Sequence, residues 1–306
     1  MIKFCYFYHR NEDTIELSEA EALHITKGEI VAHGVIVCEN PCDWQRSAFI
    51  RGGGQLVASG KNLDELCKQL RELSFSAENF KIVSEPIPRL RKGDHHAIIQ
   101  VADAIKGSVD LKNPNVVFIL VISDEGCWLI ESDEPTEQVW TTFKYKPFAF
   151  CNALPIKIAR AMINLTAEQG DSVLDPCCGS GTIPLMSAEL GFTAMGGDRS
   201  WPNLNISRKN IAHFGFKAEL LQKDATETIR SADCIITNLP YGLYLPISEE
   251  ILIGMLNNFR NLTKKVSIVT TDDISDKLVD CGYTIKQHLE SRSNNLVRHI
   301  FLTEVI

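Results

Sequence analysis

The chain has 306 residues, 44% of them hydrophobic and 23% charged, with a formal net charge of −8; these are ordinary globular proportions, sufficient for two domains with real cores and without a sign of a disordered tail. The acidic balance argues against a non-specific nucleic-acid coat, which needs clustered Lys and Arg to neutralise phosphates. No apolar run approaches the roughly 20 residues of a membrane span, and Met1-Ile2-Lys3-Phe4-Cys5 lacks a signal-peptide pattern, so a soluble, cytoplasmic protein with no membrane partner is expected.

In chain order, residues 3–8 alternate as a strand, 15–25 have helical spacing ending at Lys27-Gly28, and 29–37 read as a second strand. Residues 47–58 are expected as a third strand interrupted by Gly52-Gly53-Gly54, 63–73 as a helix with Asn62 as N-cap, and 80–83 as a fourth strand. That order, βαββαβ, is the ferredoxin-like unit. Helical spacing resumes over 95–105, followed by a strand pair at 116–122 and 127–130.

From Pro155 helix and strand alternate: 156–165 helical, 173–175 strand, 182–190 helical, 193–198 strand, 204–214 helical, 218–222 strand. Such alternation implies a parallel sheet in an α/β fold. Strands at 234–238, 266–272, 283–289 and 296–303 complete it, with helices near 248–262 and 274–281. Only residues 290–295 separate the last two strands, too few for a parallel crossover, so the sheet should end in an antiparallel hairpin.

Ten cysteines are scattered along the chain; Cys38 and Cys42 come nearest to a ligand pair, and no second pair or His cluster answers them, so no metal is expected. Residues 1–150 hold 16 basic against 22 acidic residues, and residues 151–306 hold 15 against 17. Within this balance lies one basic run, Arg89-Leu90-Arg91-Lys92, followed by His95 and His96. Arg89, Arg91 and Lys92 are candidate RNA contacts; the plain alternative is a solvated linker.

Four features fall at the carboxyl ends of successive expected strands, where open α/β sheets bind ligands. The first is Asp175-Pro176-Cys177-Cys178-Gly179-Ser180-Gly181-Thr182, a strand-to-helix turn whose glycines admit close backbone approach and whose helix N-terminus favours an anionic group. It has neither the third glycine of a dinucleotide fingerprint nor the Gly-Lys-Ser/Thr of a P-loop. The second is Gly196-Gly197-Asp198, whose carboxylate can accept ribose hydroxyls, and the third is Lys223-Asp224-Ala225, placed to accept from an adenine amine. Each Asp alone would read as a cap or turn residue; together they point to an adenosine-bearing ligand. The fourth is Asn238-Leu239-Pro240-Tyr241-Gly242. The Asn238 side-chain oxygen and a carbonyl of a proline-stiffened turn can each take one N–H of an exocyclic amine and direct its lone pair at an electrophilic carbon, and Tyr241 can stack on the base.

The series DPCCGSGT, GGD, KDA and NLPYG resembles the class I S-adenosylmethionine-dependent amino-methyltransferases. Residues 146–165, KPFAFCNALP running into IARAMINL, resemble the entry segment of the THUMP-containing RNA guanine-N2-methyltransferases, and residues 101–115 are similar to the end of a THUMP domain. The resemblance implies a Rossmann-like methyltransferase domain over residues 146–306, with a seven-stranded, mostly parallel sheet and an antiparallel last strand. It is preceded over residues 1–145 by a ferredoxin-like plus THUMP-like region that docks RNA, tRNA being the expected substrate. It implies S-adenosylmethionine as cofactor, held by Asp175, Cys177, Gly179, Gly181, Thr182, Asp198, Arg199, Asp224, Ala225 and Asn238, with Asn152 and Leu154 closing over the methionine end. Asn238, Pro240 and Tyr241 would take the target base, the exocyclic N2 amine of a guanosine. Two departures stand out: Cys177 replaces the phenylalanine usual after Asp-Pro, and Leu239 replaces the first proline of the fourth motif. Adenine N6, a glutamine side chain, or an inactive fold that only binds RNA or a partner protein remain alternatives. The sequence leaves a small partner subunit or a homodimer open.

Overall fold

The computed structural model describes residues 2–8, 11–87, 95–133, 138–148, 153–227, 230–240, 247–293 and 296–306. The chain divides into two compact units, Met1–Glu12 with Ser18–Glu137, and Asp13–Leu17 with Gln138–Ile306.

The first unit contains β1 (Phe4–Tyr8), most of α1 (Ile15–Thr26), β2 (Glu29–Ala32), β3 (Val35–Cys38), β4 (Ile50–Gly60), α2 (Leu63–Glu72), β5 (Ser76–Pro86), α3 (His95–Ala102), β6 (Lys106–Val109), β7 (Val116–Ile122) and β8 (Cys127–Ser132). All eight strands form one sheet in the order β2-β3-β1-β4-β8-β7-β5-β6. Asn62 caps α2 as expected, its side chain accepting from the Glu65 N–H at 3.0 Å, an arrangement worth about 1 kcal/mol. Leu66, Cys67 and Leu70 of α2 and Ala97 and Val101 of α3 pack with Phe80 and Phe118 of the sheet.

The ferredoxin-like unit is not the arrangement found. That unit would set its fourth strand beside the first, whereas β4, β8 and β7 stand between β1 and β5. Two causes are visible. The single strand expected over 29–37 is the hairpin β2–β3, turned at His33-Gly34 with Gly34 at φ 86°. The apolar β7–β8 pair, with Leu120, Leu129 and Ile130 fully buried, takes the middle of the sheet, where both faces are covered. The three glycines do not interrupt β4 either. They lie within it: the Phe7 ring covers Gly52, the Tyr6 ring covers Gly53, where a Cβ would stand 2.1 Å from Tyr6 Cδ1, and Gly54 lies against the Glu131 carbonyl.

The second unit contains α4 (Ile156–Thr166), β9 (Ser172–Asp175), α5 (Thr182–Glu189), β10 (Thr193–Asp198), α6 (Trp201–His213), β11 (Glu219–Gln222), β12 (Cys234–Asn238), α7 (Glu249–Leu262), β13 (Lys265–Thr270), α8 (Ser275–Asp280), β14 (Tyr283–Ser293) and β15 (Leu296–Val305). The sheet order is β11-β10-β9-β12-β13-β15-β14, parallel from β11 to β13, with β15 antiparallel to both of its neighbours. This is the expected α/β sheet with its terminal hairpin. Its central strands are apolar on both faces, as parallel strands covered by helices must be. Leu174, Ile235, Val266 and Ile268 are fully buried, each contributing about 2 kcal/mol by leaving water. Helix α7, whose first turn is capped by Ser248, places Leu252, Met255, Leu256, Phe259 and Leu262 on one face against that core. From β9 the chain moves outward through β10 to β11 and then crosses to β12 on the other side. That reversal opens a crevice at the carboxyl ends of the strands.

No helix among the described residues is long and apolar enough to cross a membrane. Among the described residues no group of three or more His, Cys, Asp or Glu could hold a metal ion.

Candidate functional site

The crevice holds a cavity of about 460 Å³. Its lining draws on all four strand-end motifs: Asp175 to Ser180 with Thr182, Asp198 with Arg199, Asp224 with Ala225, and Asn238 to Pro240; Ala153 and Leu154 add to it from the segment before α4. Of the site residues singled out in the sequence, all but six thus face one space. Gly181 does not line it, and Asn152, Tyr241, Arg89, Arg91 and Lys92 lie outside the described residues.

The glycine turn is held by short-range bonds. The Cys177 N–H and the Thr237 hydroxyl both donate to Asp175 Oδ1, at 3.0 and 2.8 Å, and the Cys178 N–H donates to the Gly197 carbonyl at 2.8 Å. Burial raises the Asp175 carboxyl to about 7, against the pull of its two donors. Burial, and then the Asp175 carboxylate, push the Cys177 thiol well up, so it is not a thiolate nucleophile. The two glycines differ. Gly179, at φ 49°, has open space where a Cβ would be, and it faces the cavity. Gly181, at φ 82°, is the left-handed cap of α5, and a Cβ there would meet Ser207 Oγ of α6 at 2.3 Å. Gly181 therefore serves helix packing, not ligand clearance, because α5 and α6 approach closely at that point.

Asp198 ties the turn to β10. Its Oδ2 accepts from the Gly179 N–H at 3.0 Å and its Oδ1 from the Ser200 N–H at 2.8 Å, while the Asn203 amide reaches both oxygens at 3.3 Å. The amide contacts are the long, readily exchanged ones, so a diol could replace Asn203 on this carboxylate. Asp224 accepts from the N–H and hydroxyl of Thr226 through Oδ1 alone, at 3.0 and 2.8 Å, and those bonds hold its carboxyl below the usual range.

Asn238 Oδ1 is buried and has no hydrogen-bond partner among the described residues. Such an acceptor is destabilising by about 1–3 kcal/mol unless something supplies a donor, which makes it a candidate ligand contact. Leu239, in the place of the motif's first proline, is 1% exposed, packs in the core with Leu174 and Met255, and donates its N–H to the Val269 carbonyl at 3.0 Å. A proline could not make that bond.

Sequence reasoning missed several residues of the site. Ile247, Ile251 and Met255 form an apolar wall from the start of α7, with no local signal beyond helical spacing. Lys146 lies behind the turn, 8% exposed, its Nζ donating to Thr182 Oγ1 and, at 3.4 Å, to Ser180 Oγ. Burial lowers its ammonium to about 8.

This combination, a glycine turn leading into a helix N-terminus with acidic residues ending the next two strands, coincides with a family match over residues 144–267, described as UPF0020, RMKL-like, methyltransferase domain. Residues 144–267 are thus similar to a methyltransferase domain of this family. Over 109 residues it is 33% identical to a tRNA (guanine(10)-N2)-dimethyltransferase of Methanothermobacter thermautotrophicus, covering 34% of this chain and 32% of that protein. Over 183 residues it is 27% identical to the U6 snRNA (guanine-N(2))-methyltransferase THUMPD2 of Mus musculus, covering 56% of this chain and 34% of that one. The chain thus spans about a third of the length of these curated relatives. Among solved structures it shares its fold with TrmN of Thermus thermophilus, at 19% identity and a TM-score of 0.52 with both chains fully covered. It also shares its fold with a possible methylase from Clostridium difficile 630, at 16% identity and a TM-score of 0.54, covering 100% of this chain and 98% of that one.

Proposed function

We propose that the chain is an S-adenosylmethionine-dependent RNA methyltransferase acting on the exocyclic N2 amine of a guanosine, in tRNA, with residues 1–145 docking the RNA and residues 146–306 carrying out the transfer. The observation that carries this reading is the unpartnered Asn238 Oδ1 in the same cavity as Asp198 and Asp224. An adenosine-sized ligand on the two carboxylates and an amine donor on Asn238 would give donors to all three of these acceptors. The names of the relatives, two guanine-N2 RNA methyltransferases, favour guanosine over adenine.

The residues fit the cofactor. Asp198 would hold the ribose in exchange for Asn203, Asp224 would take the adenine amine through its free Oδ2, and Gly179 leaves room for the amino-acid end. When bound, S-adenosylmethionine supplies a methyl group on a sulfonium. Asn238 Oδ1 and a backbone carbonyl of the Asn238–Pro240 turn would each accept one N–H of the target amine, fixing its lone pair toward that methyl. Held this way, the amine would be the nucleophile for the methyl group that the bound cofactor would supply, and the proton it gives up would pass to solvent. Tyr241 is proposed to stack on the base. Two exposed aromatics of this unit suit an RNA surface: Tyr145, 72% exposed, has Lys144 Nζ 4.8 Å from its ring centroid, and Phe148, 44% exposed, has Lys209 Nζ at 5.4 Å.

The test is incubation of the protein with labelled S-adenosylmethionine and bulk tRNA, followed by nucleoside analysis. Label in N2-methylguanosine is expected; label confined to another nucleoside or to protein would overturn the target. Asn238→Ala should lower turnover by at least 100-fold while cofactor binding persists.

A further inference from the structure

Lys146 is a buried cation with no anion beside it among the described residues. It is 8% exposed, and its partners are two neutral hydroxyls, Thr182 Oγ1 and Ser180 Oγ. No carboxylate pairs with it among the described residues, although burying an ammonium is costly unless an opposite charge offsets it. Burial alone, with no neighbouring charge contributing, lowers its affinity for a proton.

The partners show where the missing charge belongs. Ser180 and Thr182 both line the cavity, and Lys146 is the hydrogen-bond partner of each side-chain oxygen among the described residues. An ammonium has only donors, so each hydroxyl must accept from it, which leaves both hydroxyl hydrogens free to donate elsewhere. Thr182 is also the first residue of α5, an eight-residue helix whose N-terminal N–H groups open on the same spot. A buried charge, two polarised hydroxyls and a helix N-terminus therefore converge beside Gly179.

We propose that Lys146 makes the glycine turn selective for a ligand bearing a carboxylate, acting through Thr182 and Ser180 as a positioning residue for the amino-acid end of the cofactor. This rests on the cofactor reading above. The ammonium turns the two hydroxyls into donors and places a full positive charge behind them. The carboxylate supplies the acceptors and the compensating charge that the described residues do not.

The experiment compares two probes by calorimetry on the full chain: S-adenosylhomocysteine, which has the amino-acid group, and 5′-methylthioadenosine, which has the same nucleoside and sulfur but no carboxylate. The wild type should prefer the first. Lys146→Met, which replaces the buried charge with an apolar side chain of similar length, should weaken S-adenosylhomocysteine about tenfold or more, the loss expected for a charge-assisted interaction, and leave methylthioadenosine within about twofold. Thr182→Val, which keeps the shape and removes the hydroxyl, should give the same selective loss and serves if the first variant folds poorly. Equal weakening of both probes, or no change in either, would overturn the proposal while leaving the cofactor reading intact. A wild type that binds neither probe would overturn the cofactor reading, and this one with it.

Discussion

At the scale of single residues, the second unit separates roles that look alike in the chain. Gly179 and Gly181 are two positions apart, yet one faces open cavity and the other faces Ser207. Gly181→Ala has to accommodate a left-handed backbone and a contact of 2.3 Å, and should lose about 2–4 kcal/mol of stability in chemical denaturation. Gly179→Ala carries only the left-handed penalty, about 1 kcal/mol, but should weaken S-adenosylhomocysteine in a binding titration by tenfold or more. Asp175 makes a prediction in pH. Its carboxyl sits at about 7 in the fold against 3.8 for a free carboxyl, so between these values the folded state binds the proton that the unfolded state has released. Stability from this group is therefore present below about pH 4 and falls as pH rises to about 7, by at most roughly 4 kcal/mol. Asp175→Asn keeps an oxygen for Thr237 and Cys177 and removes the titration, so the difference in unfolding free energy between wild type and variant should decline over that window and be flat above it. Asp175 was legible in the sequence as the end of a strand before a glycine turn. Its raised carboxyl was not, because that depends on how completely the sheet and helices around it exclude water.

At the scale of elements, α4 and α5 are joined by an ion pair that no local pattern announces. Arg160 Nη1 meets Glu189 Oε2 at 2.5 Å with side-chain exposures of 4% and 14%, and the guanidinium stacks over the Trp140 ring at 4.7 Å. Removing one partner of such a pair weakens the compensation of a buried charge. Glu189→Ala should destabilise the protein by about 3 kcal/mol, measured by denaturant unfolding, and adding Arg160→Met should recover most of that loss. The outcome matters for the site because α5 carries the glycine turn at its other end. Elements were the most readable level of this chain in the second unit. There the alternation of helix and strand, the Ser248 cap and the short link between β14 and β15 were each set by residues close in sequence. In the first unit β6 went unread and β2–β3 was read as one strand, since short strands of four residues carry little pattern of their own and form by pairing with neighbours.

At the scale of the whole molecule, the cavity lies within the second unit and all its described walls come from residues 153–255. A ligand there should stabilise that unit by mass action, about 2.7 kcal/mol at a hundredfold excess over Kd. Hydrogen exchange of the full chain with S-adenosylhomocysteine should therefore slow across β9, the glycine turn and β12, and leave the first unit's β4 and β8 unchanged. Uniform protection of both units would contradict a site confined to the second.

Local patterns along the chain suffice for the parallel α/β order of residues 156–306, for placing Asp175, Asp198, Asp224 and Asn238 at successive strand ends, and so for the kind of ligand they suit. These follow from local periodicity and from the rule that such sheets bind ligands at their carboxyl edge. Long-range packing decided that Asn238 Oδ1 has no partner among the described residues, that Gly181 belongs to the α5–α6 contact and that Leu239 donates to Val269. It also decided that Lys146 is buried against Thr182, and that β7 and β8 stand between strands expected to pair. Each of these depends on residues far apart in sequence meeting at van der Waals or hydrogen-bond distance, which periodicity along one segment cannot specify.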